Sequence, residues 1–228
     1  SQTFDIYYDG ESSCAVLDDS SLWCWGRGGN YALGRGNTTD STVPVPVGRP
    51  GGWVEKTASI SLGGQWGCEL LTDGVVQCWG TNTPIGASTS GGNANNDYTI
   101  SEPEPVLGLA RDAVLVGVGN QHACAILDNG SVQCWGYNYY GQLGLGYRCV
   151  TGGEGDCNTE PGSNFIHFPR YMLLPTGRTA IGLNIWEYNT CVILDDNSYI
   201  CTGYLDSVHY STPLYVNGSH KIVQADEY

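Results

Sequence analysis

The ten cysteines of this 228-residue chain are its most reactive side chains. Thiols act as nucleophiles, bind soft metals or join as disulfides, and spacing decides among these. Eight of them form four pairs ten residues apart: Cys14/Cys24, Cys68/Cys78, Cys124/Cys134 and Cys191/Cys201. Zinc sites favour short Cys-x2-Cys spacings and histidine partners, and the chain has four histidines in all. The remaining two, Cys149 and Cys157, lie eight apart in a Gly-rich acidic stretch. Five pairs leave no free thiol for catalysis. Paired cysteines in this number suit an oxidising compartment and predict a secreted, extracellular protein.

The elements that must position these pairs can be read from their midpoints, Asp19, Asp73, Asn129 and Asp196. Two short strands fold about a three-residue loop: Asp18–Ser20, Thr72–Gly74, Asp128–Gly130 and Asp195–Asn197. Such a loop pairs a type I turn with a left-handed third residue. Gly74, Gly130 and Asn197 suit that place, and Ser20 suits it less well. Counting outward, Leu17 faces Ser21, Val16 faces Leu22, Ala15 faces Trp23 and Cys14 faces Cys24. If the first of these pairs is hydrogen-bonded, the cysteines occupy a non-hydrogen-bonded pair. There the Cα atoms lie about 4.5 Å apart, within disulfide reach. Each bridge closes a loop of about ten residues, roughly 2–3 kcal/mol in the chain-entropy model. The hairpin already restricts that loop, so the gain is smaller.

Both faces of these strands are apolar. One carries the cysteines with Val16, Leu70, Ile126 or Ile193; the other carries Leu17, Leu71, Leu127 or Leu194 and the tryptophans Trp25, Trp79 and Trp135. With no amphipathic helix in the pattern, such sheets must stack between other sheets. A further apolar stretch precedes each pair: Phe4–Tyr8, Ala58–Leu62, Val114–Val118 and Thr179–Leu183. A fifth, Lys221–Ala225, closes the chain. The first cysteines of successive copies lie 54, 56 and 67 residues apart. This predicts repeats over about 3–55, 56–111, 112–177 and 178–220, with the start of a further blade at 221–228.

The third copy is the fullest. Its residues His122-Ala-Cys-Ala-Ile-Leu-Asp-Asn-Gly-Ser-Val-Gln-Cys-Trp-Gly136 run on into Tyr137-Asn-Tyr-Tyr-Gly-Gln-Leu-Gly-Leu-Gly146. This phrase resembles the regulator of chromosome condensation repeat. Copy one keeps Trp25-Gly26 and Ala32-Leu33-Gly34, copy two keeps Trp79-Gly80-Thr81-Asn82, and copy four has Thr202-Gly203 instead of Trp-Gly. The resemblance implies an all-β fold: a β-propeller or open propeller arc of about four blades, each with an intra-hairpin disulfide. A small closed ring and an arc of a larger propeller both fit; the interrupted ends favour the arc. The family position of His122 implies a structural role.

Between copies three and four lies an insertion, 147–170, which carries Cys149 and Cys157. It reads as a stapled surface loop or a contact loop. Glu154, Asp156 and Glu160 within it lack EF-hand spacing. Residues 86–97 replace the tail of copy two with a Gly/Ser/Asn-rich loop, and Ser101–Pro105 reads as the linker into a new blade. Asn37, Asn129 and Asn217 begin Asn-x-Ser/Thr sequons, sites for N-glycans in a secreted eukaryotic protein. Nine basic against 23 acidic residues give a formal charge of −14, which excludes nucleic acid and anionic membranes as natural partners. No apolar run is long enough to span a bilayer. The histidines share no spacing, and Asp18, Asp73, Asp128 and Asp195 recur in turns where aspartate caps the backbone.

The residues show no catalytic, cofactor or metal constellation. The reading is a non-catalytic extracellular scaffold whose stapled propeller binds a protein partner or further copies of itself. A secreted monomeric binding domain or enzyme inhibitor is the alternative, and a secreted enzyme such as a glycoside hydrolase comes third. The disulfide pattern is directly testable by non-reducing peptide mapping. It should link each cysteine to the one ten residues away, and Cys149 to Cys157. Links between different repeats would contradict the hairpins.

Overall fold

The computed structural model describes residues 5–8, 11–48, 56–81, 99–150, 164–216 and 222–224. Four antiparallel sheets follow one another along the chain. The first is β1 (Asp5–Tyr8), β2 (Ser12–Val16), β3 (Leu22–Gly26) and β4 (Ser41–Pro46); the second is β5 (Thr57–Gly63), β6 (Trp66–Leu71), β7 (Val76–Thr81) and β8 (Thr99–Pro105). The third is β9 (Ala113–Val118), β10 (His122–Leu127), β11 (Val132–Tyr137) and β12 (Phe165–Tyr171). The fourth is β13 (Ala180–Ile185), β14 (Asn189–Leu194), β15 (Tyr199–Leu205) and β16 (Val208–Val216), extended by β17 (Ile222–Gln224). Strands lie in chain order within each sheet, and the first strands of consecutive sheets pack together, β1 on β5, β5 on β9 and β9 on β13. These are blades of a β-propeller, arranged around their innermost strands.

The turns fix the register. In each hairpin the residue before the loop donates its N–H to the residue after it: Leu17 to Ser21, Leu71 to Val75, Leu127 to Ser131 and Leu194 to Ser198. By alternation the cysteines fall on non-hydrogen-bonded pairs, and each pair is bridged with a Cα separation of 4.0 Å. The third loop residue is left-handed in every copy: Ser20 at φ 67°, Gly74 at 89°, Gly130 at 78° and Asn197 at 64°. Ser20 therefore joins the others despite its Cβ. A side chain at the middle of each loop holds the turn. Asp19, Asp73, Asn129 and Asp196 each accept the N–H two residues on. The expected caps Asp128 and Asp195 pair instead with Arg111 and Arg178.

The glycine of Trp-Gly is a second backbone requirement. Gly26, Gly80, Gly136 and Gly203 sit at φ between 103° and 112°, beside a register slip between the third and fourth strands of each blade. A Cβ at Gly80 would lie 2.5 Å from Trp66 Cα on the neighbouring strand. Only glycine fits that approach.

Cohesion between blades combines apolar packing with hydrogen bonds that run both ways. One buried cluster joins blades one to three, and a second joins blades three and four. Trp79 Nε1 donates back to Ala32 O of blade one at 2.9 Å, and Thr202 Oγ1 donates back to Gly141 O of blade three at 2.8 Å. Thr202 stands where the other copies have tryptophan, and its one hydroxyl proton is shared between Gly141 O across the seam and Tyr210 O of its own blade at 2.7 Å. Trp135 is as buried as Trp79, yet its Nε1 has no acceptor among the described residues. In copy two the sequence that would supply the carbonyl is replaced by 86–97, outside the described residues. In the forward direction Trp66 Nε1 donates to Asn120 O at 2.8 Å, and His122 Nε2 meets Thr190 Oγ1 at 2.9 Å. Trp25, expected in the core, is only partly buried, because no blade precedes it among the described residues.

The edges differ from expectation. Ser101–Pro105 is not a linker but part of β8, the outer strand of blade two. The outer strands of blades one to three carry proline (Pro44 and Pro46, Pro103 and Pro105, Pro169), which is tolerated at an edge; Pro213 lies in β16, which pairs further with β17. β12 takes up residues 165–170 of the segment read as an insertion, and 151–163 lie outside the described residues. The stretch read as opening a further blade supplies β17, which pairs with β16 at Tyr215 and Val216.

Two measurements follow from this packing. Gly80→Ala should cost at least about 2 kcal/mol in urea unfolding, from strained backbone and the clash with β6; an unchanged midpoint would contradict the geometry. Burial lowers the His122 pKa from 6.5 to about 3. The folded state holds it neutral while the unfolded chain protonates it. Its contribution is therefore complete above about pH 6.5 and is lost as pH falls toward about 3, at up to roughly 1.4 kcal/mol per pH unit. The unfolding free energy should fall more steeply with acid in the wild type than in His122→Gln. Equal slopes would contradict a buried neutral His122.

Candidate functional site

Antiparallel order brings one set of connections to the same end of the blades. These are β5–β6 at Gly64, β9–β10 at Gly119–Gln121, β13–β14 at Trp186–Tyr188, β15–β16 at Asp206, and the start of β11–β12 at Asn138–Tyr140. The disulfide hairpin tips lie at the opposite end. On this face three distant segments place their aromatic rings together. Tyr140 is central, with centroid distances of 4.8 Å to Tyr188, 5.1 Å to His209, 5.1 Å to Tyr139 and 5.7 Å to Tyr204. Tyr137 continues the strip, 6.0 Å from Tyr140 and 5.2 Å from Phe165.

Local sequence accounts for each position. The tail of copy three turns tightly because Asn138 caps it. Its Oδ1 accepts Leu143 N, and its Nδ2 donates to Tyr147 O. Leu143 is thereby buried, Tyr139 is turned outward and Tyr140 is half-buried among its ring neighbours. The β15–β16 turn at Asp206-Ser207, both left-handed, sets Tyr204 opposite His209. Tyr139 is 37% and Tyr204 41% exposed. Clustered exposed tyrosines offer rigid, amphipathic contact area.

Four groups along the strip are shifted toward their neutral forms. A hydrogen bond to Glu187 raises the Tyr188 phenol, and burial raises that of Tyr137. Burial and then the Arg148 charge lower His209, while burial lowers His167. Arg148 packs directly on His209 at one end of the strip.

Inside the blades, β5, β9 and β13 line a cavity of about 340 Å³ whose walls include Ser59, Ser61, Gly117 and Asn184. A mouth of about 520 Å³ opens among Leu62, Gly64, Asn120, Ile185, Trp186 and Glu187, beside the aromatic strip. Among the described residues, no group of three or more His, Cys, Asp or Glu is arranged to hold a metal ion. No helix among them is long and apolar enough to cross a membrane.

The eight hairpin cysteines singled out in the sequence lie away from this face, whereas Cys149 lies on the connection that builds it, its N–H donating to Asn138 O at 3.0 Å. Cys14, Cys24, Cys68, Cys78, Cys124, Cys134, Cys191 and Cys201 are buried inside the blades. Cys149 is buried and disulfide-bonded, and Cys157 lies outside the described residues. Asn129 is exposed at a hairpin tip, where its Oδ1 accepts from Ser131. Asn37 is half-buried, with Oδ1 accepting Thr39 N and Nδ2 donating to Arg35 O; Asn217 lies outside the described residues. The aromatic face itself is not evident from spacing. Its only sequence signals are the abundance of tyrosine, 15 residues, and the run Tyr137-Asn-Tyr-Tyr.

Two segments, residues 19–68 and 113–142, match the family described as the regulator of chromosome condensation (RCC1) repeat. The human E3 ubiquitin-protein ligase HERC2 is 31% identical over 137 residues, covering 60% of this chain and 3% of that protein. The Arabidopsis thaliana ultraviolet-B receptor UVR8 is 28% identical over 127 residues, covering 56% of this chain and 28% of the receptor. The chain thus spans only a small part of these curated relatives. Human WBSCR16 superposes with a TM-score of 0.74 at 13% identity, over 95% of this chain and 53% of that one. Prp20p of Saccharomyces cerevisiae gives 0.51 at 17% identity, over 94% of this chain and 65% of that one. At these identities the structural likeness speaks for the fold. Matched repeats and blade architecture agree: the chain carries RCC1 repeats, and its blades have the β-propeller fold.

Proposed function

We propose that the chain is a non-catalytic extracellular scaffold that binds protein through the aromatic face of blades three and four. The observation that carries this reading is the strip of contacting rings centred on Tyr140, partly exposed, on the loop-bearing end of the propeller. Tyrosine-rich surfaces are suited to protein contact, because each ring loses little conformational freedom on binding. RCC1-repeat propellers are in general protein-binding or regulatory folds, and yeast RCC1 (Prp20) has been captured bound to Kap60. The stapled hairpins favour an oxidising setting over a nuclear exchange role. The partner is another protein or a further copy of this chain, and a solution mass above 24.5 kDa would identify the second case.

A peptide-display selection against the intact, disulfide-bonded chain tests the reading. Selected binders should lose about tenfold or more in affinity on combined Tyr140→Ala and Tyr204→Ala substitution. They should keep it on Val43→Ser, which alters an exposed side chain on β4. Binders indifferent to the two tyrosines would overturn it.

A further inference from the structure

The aromatic strip is not the same at its two ends. At one end Arg148 packs on His209. At the other, the β13–β14 connection sets Trp186, Glu187 and Tyr188 in a row across the mouth of the inner cavity. Trp186 is 44% exposed and Glu187 lies beside it on the rim. Tyr188 hydrogen-bonds to Glu187 and to Asn120, and packs 4.8 Å from Tyr140, so the rim is tied to the strip.

We infer that this mouth receives a cationic side chain, a lysine or arginine, presented by the protein segment that lies along the aromatic strip. Three observations converge. An indole is the strongest aromatic partner for a cation, and a neighbouring carboxylate adds a charge-assisted hydrogen bond. The wall behind them mixes Gly64, Gly119 and Asn120 with the apolar side chains of Leu62, Val118 and Ile185, which can cover the aliphatic stem of a long basic side chain. The chain as a whole carries a formal charge of −14, so a basic segment is drawn in and an acidic one is opposed, most directly by Glu187. Arg148 disfavours a cation at the far end, which fixes the direction of the segment: basic residue at the mouth, neutral or acidic residues toward His209.

This inference rests on the binding-face reading, and its test is arranged to fail separately. The probe is a Gly/Ser peptide bearing several lysines, compared with the same peptide bearing norleucine or glutamate instead. Binding to the intact chain is followed by the indole N–H resonance of Trp186, assigned by its loss in Trp186→Phe. The lysine peptide should bind and shift that resonance, and the other two should not. Glu187→Gln and Trp186→Ala should each weaken it by about 3- to 30-fold. Glu104→Gln, which removes the same charge from the outer strand β8, should leave affinity nearly unchanged. Equal binding of the three peptides would overturn the inference, as would equal losses in Glu187→Gln and Glu104→Gln. Tyrosine-dependent binders with no preference for lysine would also overturn it while leaving the binding face in place.

Discussion

Everything in this fold depends on the register set by a three-residue turn. Its middle side chain caps the backbone and its last residue turns left-handed, so the flanking strands can pair in only one way. That register opposes the cysteines and assigns a direction to each face. The disulfide face looks to the next blade, as the approach of Cys124 to Thr190 illustrates, and the tryptophan face looks to the preceding one. A slip of one residue would exchange the faces and undo every joint between blades.

Directional blades explain how cohesion tolerates variation. At the position occupied by Trp79, Thr202 keeps a donor aimed at the preceding blade. At the position before the cysteine hairpin, Trp66 and His122 each reach forward by different chemistry. What persists is a hydrogen bond across the seam in a water-excluded place, where an unpaired group is costly. Trp135 is the exception, and it follows the one copy whose tail has been replaced. The disulfides link strands within blades, and the buried sulfurs of blades one to three join the apolar packing across the seams.

Legibility in the sequence follows the range of the interactions. Hairpins, register and left-handed residues are local, and the spacing from Cys14 to Cys24 and its counterparts contains them. The outer strands were obscured because proline in Ser101–Pro105 reads as a breaker, whereas an edge strand needs no hydrogen bond on its solvent side. The turn caps Asn129 and Asp196 are obscured by the acidic residues just before them, which suit capping equally; Asp128 pairs with Arg111, and Arg178 reaches both Asp195 and Asp196. The aromatic face leaves only the abundance of tyrosine and the run Tyr137-Asn-Tyr-Tyr as traces in the sequence. It is assembled from Tyr137–Tyr140, Tyr188 and Tyr204–His209, which meet only once blades three and four are docked.

That meeting is the central claim, since both the contact surface and the cation-receiving mouth depend on it. The most direct measurement is a nuclear Overhauser spectrum of the oxidised chain with tyrosine and histidine rings assigned. Cross-peaks should connect the ring protons of Tyr140 to those of Tyr188, Tyr204 and His209. Contacts from Tyr140 to Tyr137 and Tyr139 alone would contradict the docking of blade four on blade three, and the face with it.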